Sequence, residues 1–188
     1  MMTKSKLSRR KFIQVAAAAM AAGSSISCRR AGSPWRSFTA DEARTLAAIC
    51  DQIIPEDQDP GAVSAGVVNY IDLQLSGFFR KWRKDYRQGI AEIDRSAMAR
   101  YGKRFADLPS EKQTEFLTML DRDAAWNGTL LQRFFRLVVS HTMQGFYGDP
   151  RHGGNLNRAS WKMVRLSYPP VRGRFPYDVK AARDAGIS

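Results

Sequence analysis

The sequence predicts an all-α fold: a single helical domain of about five helices, a long Gly-rich loop and an irregular C-terminal tail. Three observations lead there. Apolar residues recur at 3–4 spacing in five successive stretches. Each stretch is bounded by a helix-start signal or by Gly and Pro. No stretch shows sustained alternation of the kind a half-buried strand needs. The 188 residues suit one core of useful size, and 44% hydrophobic content can fill it.

The N-terminus precedes that domain. Ser8-Arg9-Arg10-Lys11-Phe12-Ile13 has the pattern of a twin-arginine export signal, with Arg9, Arg10 and Phe12 as its marks. An Ala-rich run from Val15 to Ala22 follows, too short and too mildly apolar for a permanent span. Small residues then lead to Cys28. Ser25-Ile26-Ser27-Cys28 is an imperfect lipobox, because serine stands where leucine is preferred. Two outcomes stay open: lipidation of Cys28, reinforced by Arg29 and Arg30 at a membrane surface, or plain cleavage nearby. The divisions expected are a leader over 1–28, a linker over 29–37, the helical domain over 38–167 and the tail over 168–188. The leader implies export to the periplasm, at the membrane if Cys28 carries a lipid anchor.

The net charge is +12; five of those charges lie in the leader, which has no acid, and +7 remains on the rest. Such a balance favours anionic partners such as a membrane surface or an acidic protein. For an exported chain, nucleic acid is not expected as a partner.

The first helix opens at Phe38-Thr39-Ala40-Asp41-Glu42, where Thr39 and Glu42 have capping-box spacing. Ala43, Leu46, Ala47, Cys50, Ile53 and Ile54 form its apolar stripe, and Pro55 stops it. Cys50 on that stripe reads as a buried thiol; a disulfide to Cys28 is open unless Cys28 is lipidated. Residues 55–61 form an acidic turn without the full spacing of a calcium loop. The second helix is expected over 63–76, with Val67, Val68, Ile71 and Leu75 inward. The third is expected over 78–101, with Phe79, Trp82, Tyr86, Ile90, Ile93, Ala97 and Tyr101 inward. Cations lie between these aromatics, and the phasing makes the aromatics core and the cations a solvated face.

The fourth helix begins near Ser110, which has capping-box spacing to Gln113, and turns Phe116, Leu117, Leu120 and Ala124 inward. The fifth runs from about Thr129 to Tyr147, with Leu130, Leu131, Phe134, Val138, His141 and Gly145 in phase. Pro150 excludes its continuation past Asp149. Gly148, Gly153 and Gly154 then give the loop conformational freedom. Tyr147, Asp149, Pro150, Arg151, His152 and Asn155 crowd the same loop, and Trp161 lies on a short helix near 158–165. Long polar loops of this kind are costly to order and often functional. The tail, with Tyr168-Pro169-Pro170 and Phe175-Pro176-Tyr177, is either a docking strap or a frayed end.

No residue is assigned a catalytic, cofactor-binding or metal-binding role. The chain lacks Gly-x-Gly-x-x-Gly and Cys-x-x-Cys-His, and two histidines with Asp149 are too few for a metal set. His141 on an apolar face reads as a satisfied core residue bonded to loop backbone. Asp149 with His152 is half a triad without an evident nucleophile.

His-Thr-x-x-Gly-Phe-Tyr-x-Asp-Pro-x-x-Gly-Gly-Asn, from His141 to Asn155, with Trp161-Lys162 beyond it, resembles the C-terminal signature of the gluconate 2-dehydrogenase subunit 3 family. Phe38-Thr39-x-x-Glu42, Ile53-Ile54-Pro55 and Ala65-Gly66-Val67-Val68-x-Tyr70-Ile71-Asp72 extend the resemblance over most of the chain after the leader. The segment Arg165-Leu166-Ser167-Tyr168-Pro169-Pro170 departs from the family's usual ending. The resemblance implies a non-catalytic small subunit of a membrane-associated dehydrogenase. Its partners would be an FAD-dependent (GMC-type) large subunit and a cytochrome c subunit, which would hold the FAD and the haem c. His141, Tyr147, Asp149, Pro150, Arg151, His152, Gly153, Gly154, Asn155 and Trp161 would then organise the loop or form a partner interface. The competing expectation is a free-standing periplasmic enzyme or small-anion-binding protein that uses Asp149, Arg151 and His152.

Overall fold

The computed structural model describes residues 34–166. The expectations for Arg9, Arg10, Phe12, Cys28 and the tail from Ser167 onward lie outside the described residues. Within them the chain forms six α-helices and no strand: α1 (Ala40–Ile53), α2 (Val67–Ser76), α3 (Arg83–Tyr101), α4 (Ser110–Arg122), α5 (Leu130–Tyr147) and α6 (Ala159–Met163). The fold is all-α, as predicted. Short 3₁₀ turns join several of them.

The fifth helix organises the others. α5 packs against each of the other five helices. The sequence dictates this, because its apolar face is wide: Leu131, Phe134, Phe135, Val138 and Phe146 are all buried. Tyr86 from α3 meets the ring of Phe134 edge-on at 5.5 Å. Phe38, Leu46, Ile71, Ile93 and Leu120 bring the remaining elements into the same cluster.

The capping box at Thr39 and Glu42 forms: the Thr39 hydroxyl accepts from the Glu42 N–H at 3.1 Å, and the Glu42 carboxylate accepts from the Thr39 N–H at 2.6 Å. The one expected at Ser110 does not. Pro109, in extended backbone, occupies the N-cap, so Ser110 is already the first helical residue. Gln113 instead turns inward and donates to the carbonyls of Phe105 and Leu108, both at 3.1 Å. It thus holds the preceding turn in place.

Three further boundaries differ from the sequence reading. The second helix starts at Val67 rather than 63, because Gly66 sits at φ 74 and interrupts the turn before it. The third starts at Arg83, after a separate 3₁₀ turn over Arg80–Trp82. Ala124 is exposed, since α4 ends at Arg122 and Ala124 enters a 3₁₀ turn; Leu130, the first residue of α5, is also exposed.

One anchor was not foreseen. Asp72 is buried in an otherwise apolar helix segment and accepts from the backbone N–H of Arg36 at 2.9 Å and of Ser37 at 2.7 Å. It fastens the segment before α1 to α2. A carboxylate between Ile71 and Leu75 was the available clue, because a buried charge needs donors.

Candidate functional site

A helix leaves its last carbonyls without intrahelical partners. At the C-terminal end of α5 the loop that follows supplies them from side chains. The Phe146 carbonyl accepts from the Ser160 hydroxyl at 2.5 Å. The Tyr147 carbonyl accepts from the Trp161 indole N–H at 2.9 Å. The Gly148 carbonyl accepts from the Asn155 amide at 2.9 Å. Asn155 closes the arrangement by accepting, through its side-chain oxygen, from the Ser160 N–H at 3.0 Å. Asn155, Ser160 and Trp161 are all buried. Three consecutive carbonyls are thereby capped by three residues from one short segment.

Helix α2 grips the same loop from the other side. Asn69 donates to the Gly153 carbonyl at 2.7 Å and Gln74 to the His152 carbonyl at 3.4 Å. The Leu156 N–H donates to the Ala65 carbonyl at 2.9 Å. Gly154 lies so close to α5 that a Cβ there would stand 2.2 Å from the Gly145 carbonyl oxygen. Only glycine fits at that approach. Asn155, Asn157 and Arg158 all adopt the left-handed region, with φ of 44, 56 and 58. Such conformations cost roughly 1–2 kcal/mol per non-glycine residue. Asn155 is held there by its side-chain bonds to Gly148 and Ser160, and the Arg158 N–H donates to the Asn155 carbonyl at 2.9 Å.

Asp149 caps the 3₁₀ turn over Pro150–His152 by accepting from the Arg151 N–H at 2.9 Å. The Arg151 guanidinium returns to the same carboxylate, through Nε at 3.1 and 3.0 Å and Nη2 at 2.6 Å. That guanidinium, the Arg151 N–H and nearby His152 hold the Asp149 pKa down to about 2. The pair is exposed on the arginine side, as is His152. Tyr147 is 43% exposed beside them, its ring edge-on to Phe146 at 4.9 Å. Among the described residues no three His, Cys, Asp or Glu side chains converge as metal ligands would.

His141 is elsewhere. The sequence reading bonded it to loop backbone; the structure bonds its Nδ1 to the Tyr86 hydroxyl of α3 at 2.9 Å. The ring stacks on Phe79 at 4.1 Å, nearly parallel. It belongs to the α3–α5 contact because 3–4 spacing from Phe134 and Val138 carries it to the core face rather than into the loop. The next residue, Thr142, meets the buried thiol of Cys50 at 3.4 Å. Burial pushes that thiol up to about 12, so Cys50 is an unreactive free thiol.

Burial also pushes the His141 pKa down from 6.5 to about 4. The unfolded chain therefore binds a proton between those values that the folded chain refuses. Stability from neutral His141 is complete above pH 6.5 and is lost as pH falls toward 4. Denaturant titrations across that range should show stability falling with pH. In a His141→Gln chain that part of the slope should be missing; an unchanged slope would remove His141 as its source.

The chain matches the family described as Gluconate 2-dehydrogenase subunit 3 over residues 40–166. No curated protein and no solved structure was found to match it. The match runs from the first residue of α1 through the loop and α6. The chain belongs to the gluconate 2-dehydrogenase subunit 3 family.

Proposed function

We propose that this chain is the non-catalytic small subunit of a membrane-associated FAD-dependent gluconate or sugar dehydrogenase complex. Its task is assembly, stability and twin-arginine export of the flavoprotein. A GMC-type large subunit holds the FAD and oxidises the sugar or sugar acid. A cytochrome c subunit holds the haem and takes the electrons on. The assembled complex resides in the periplasm at the membrane.

The observation that carries this reading is how the signature loop uses its polar groups. Asn155, Ser160 and Trp161 bond the chain's own helix end, and Asp149 bonds the turn that follows it. These groups hold a shape rather than await a substrate. The shape they hold leaves Tyr147 and Leu156, each 43% exposed, on the surface, as a partner contact requires. The rival reading needs Arg151 as an anion receptor, and its guanidinium already grips Asp149.

The test is a pull-down of the C-terminally tagged chain from its own envelope fraction, with mass spectrometry and a visible spectrum of the eluate. The expected eluate contains a large flavoprotein, flavin absorption and haem bands. A colourless, monomeric eluate from cells with active dehydrogenase would overturn the subunit reading.

A further inference from the structure

Most cations that approach a described acid belong to α1, α4 or the turn regions: Arg44 with Asp107, Arg104 with Asp41, and Lys112 with Glu115. One region differs. Arg80, Lys81, Lys84 and Arg87 precede or begin α3, all exposed, and none forms an ion pair among the described residues. The same holds for Arg133 and Arg136 on α5.

Arg133 and Arg136 line an open groove of about 490 Å³ between α3 and α5, and Lys81 and Lys84 are the chain neighbours of its lining residues Trp82 and Asp85. Its apolar lining comes from Trp82, Leu130, Phe134 and Leu137, and Arg133 and Arg136 stand among them. Asp85 is the sole acid in the lining. The Lys81 amine lies 5.1 Å from the Trp82 ring centroid. Just before this cluster, at the end of α2, Phe78 is 85% exposed, the most exposed large apolar side chain among the described residues. A folded domain gains nothing from a phenylalanine in water. It gains nothing either from the like charges of Arg133 and Arg136 in one groove, with Asp85 as the single acid of the lining.

Both features suit an interface between water and an anionic bilayer. There an aromatic side chain enters the headgroup layer while lysines and arginines meet phosphates around it. We propose that the face formed by Phe78, the Arg80–Trp82 turn and the α3–α5 groove binds the surface of an anionic phospholipid membrane. The charge sign selects the partner, and the protruding Phe78 selects a penetrable surface over a rigid one. The inference does not depend on the identity of the dehydrogenase. It gives the chain a membrane contact separate from any lipid on Cys28.

The experiment uses the full chain carrying Cys28→Ser, so that no lipid is attached and every variant has the same leader. Binding is measured by flotation with vesicles of equal parts phosphatidylglycerol and phosphatidylcholine, and with phosphatidylcholine alone. The chain should bind the anionic vesicles, and added salt should weaken that binding. Lys81→Glu, Arg133→Glu and Arg136→Glu together should weaken it roughly a hundredfold or more, since each cation at an anionic surface contributes about fivefold. All three are exposed, so circular dichroism should report an unchanged fold.

A Phe78→Trp chain gives a readout that the leader cannot mimic. Its additional fluorescence, beyond that of the parent, should shift to the blue on anionic vesicles only. Two results overturn the proposal: no anionic-vesicle binding beyond that of the triple variant, or no blue shift at position 78. If vesicle binding is unaffected but the triple variant fails to pull down the flavoprotein, the face docks protein instead.

Discussion

Asn155→Ala should lower the stability of the domain by about 2–4 kcal/mol. The Gly148 carbonyl and the Ser160 N–H would both lose their partner. The Ser160 N–H is buried, and a buried polar group left unsatisfied costs roughly 1–3 kcal/mol; the part-buried Gly148 carbonyl costs less, because water reaches it. Alanine at φ 44 adds about 1 kcal/mol more. A domain of this size has roughly 5–15 kcal/mol in all, so the loss is a large share. Denaturant unfolding of the purified chain measures it. Asn155→Gly separates the two contributions, because glycine accepts the left-handed backbone; it should recover about 1 kcal/mol relative to alanine. The consequence for function follows from mass action. Less folded subunit means less complex, while activity per assembled complex stays constant. A variant that unfolds at the parental denaturant concentration would show that Asn155 does not hold the loop on the end of α5. A variant with normal complex yield and lost turnover would favour a catalytic loop.

The helices were legible because their apolar positions carry the period of the element they form. Ile71, Leu75, Ile90, Ile93, Phe116 and Leu120 are buried where the spacing put them. The helix starts were missed for local reasons, such as the left-handed Gly66 and Pro109 at an N-cap; the misplaced polar side chains were decided by partners outside their own turn. Gln113 reads locally as half of a capping box, but the carbonyls of Phe105 and Leu108 claim its amide. His141 reads as a neighbour of the loop that follows it in sequence, but the Tyr86 hydroxyl lies fifty-five residues earlier. Asp72 looks like a misplaced charge until Arg36 and Ser37 arrive with their N–H groups. The loop itself was conspicuous for its glycines and its polar density. What no spacing rule shows is that Ser160, an ordinary residue beside Trp161, caps Phe146, or that Gly154 is small because it rests on Gly145. Those facts belong to the return of the chain onto α5, which only tertiary packing defines.

The second large effect concerns export. Arg9→Lys with Arg10→Lys should strand the complex's dehydrogenase activity in the cytoplasm while total subunit stays unchanged. Lysine keeps both positive charges, so any effect of mere charge on the leader is preserved. What is lost is the planar, five-donor guanidinium of each residue, which an ammonium cannot imitate. The measurement is dehydrogenase activity in periplasmic and cytoplasmic fractions. A flavoprotein must fold around FAD before it can work, and a folded cargo needs a route that accepts it. A small subunit that binds that cargo, as proposed above, would carry it through its own leader. Grafting the leader directly onto the flavoprotein should then restore periplasmic activity in the double-lysine background. If the graft fails although the flavoprotein is exported, the subunit has a further task after export, and retention in the complex is that task. If the double-lysine chain supports normal periplasmic activity, the flavoprotein travels by its own signal, and the subunit's role is confined to assembly.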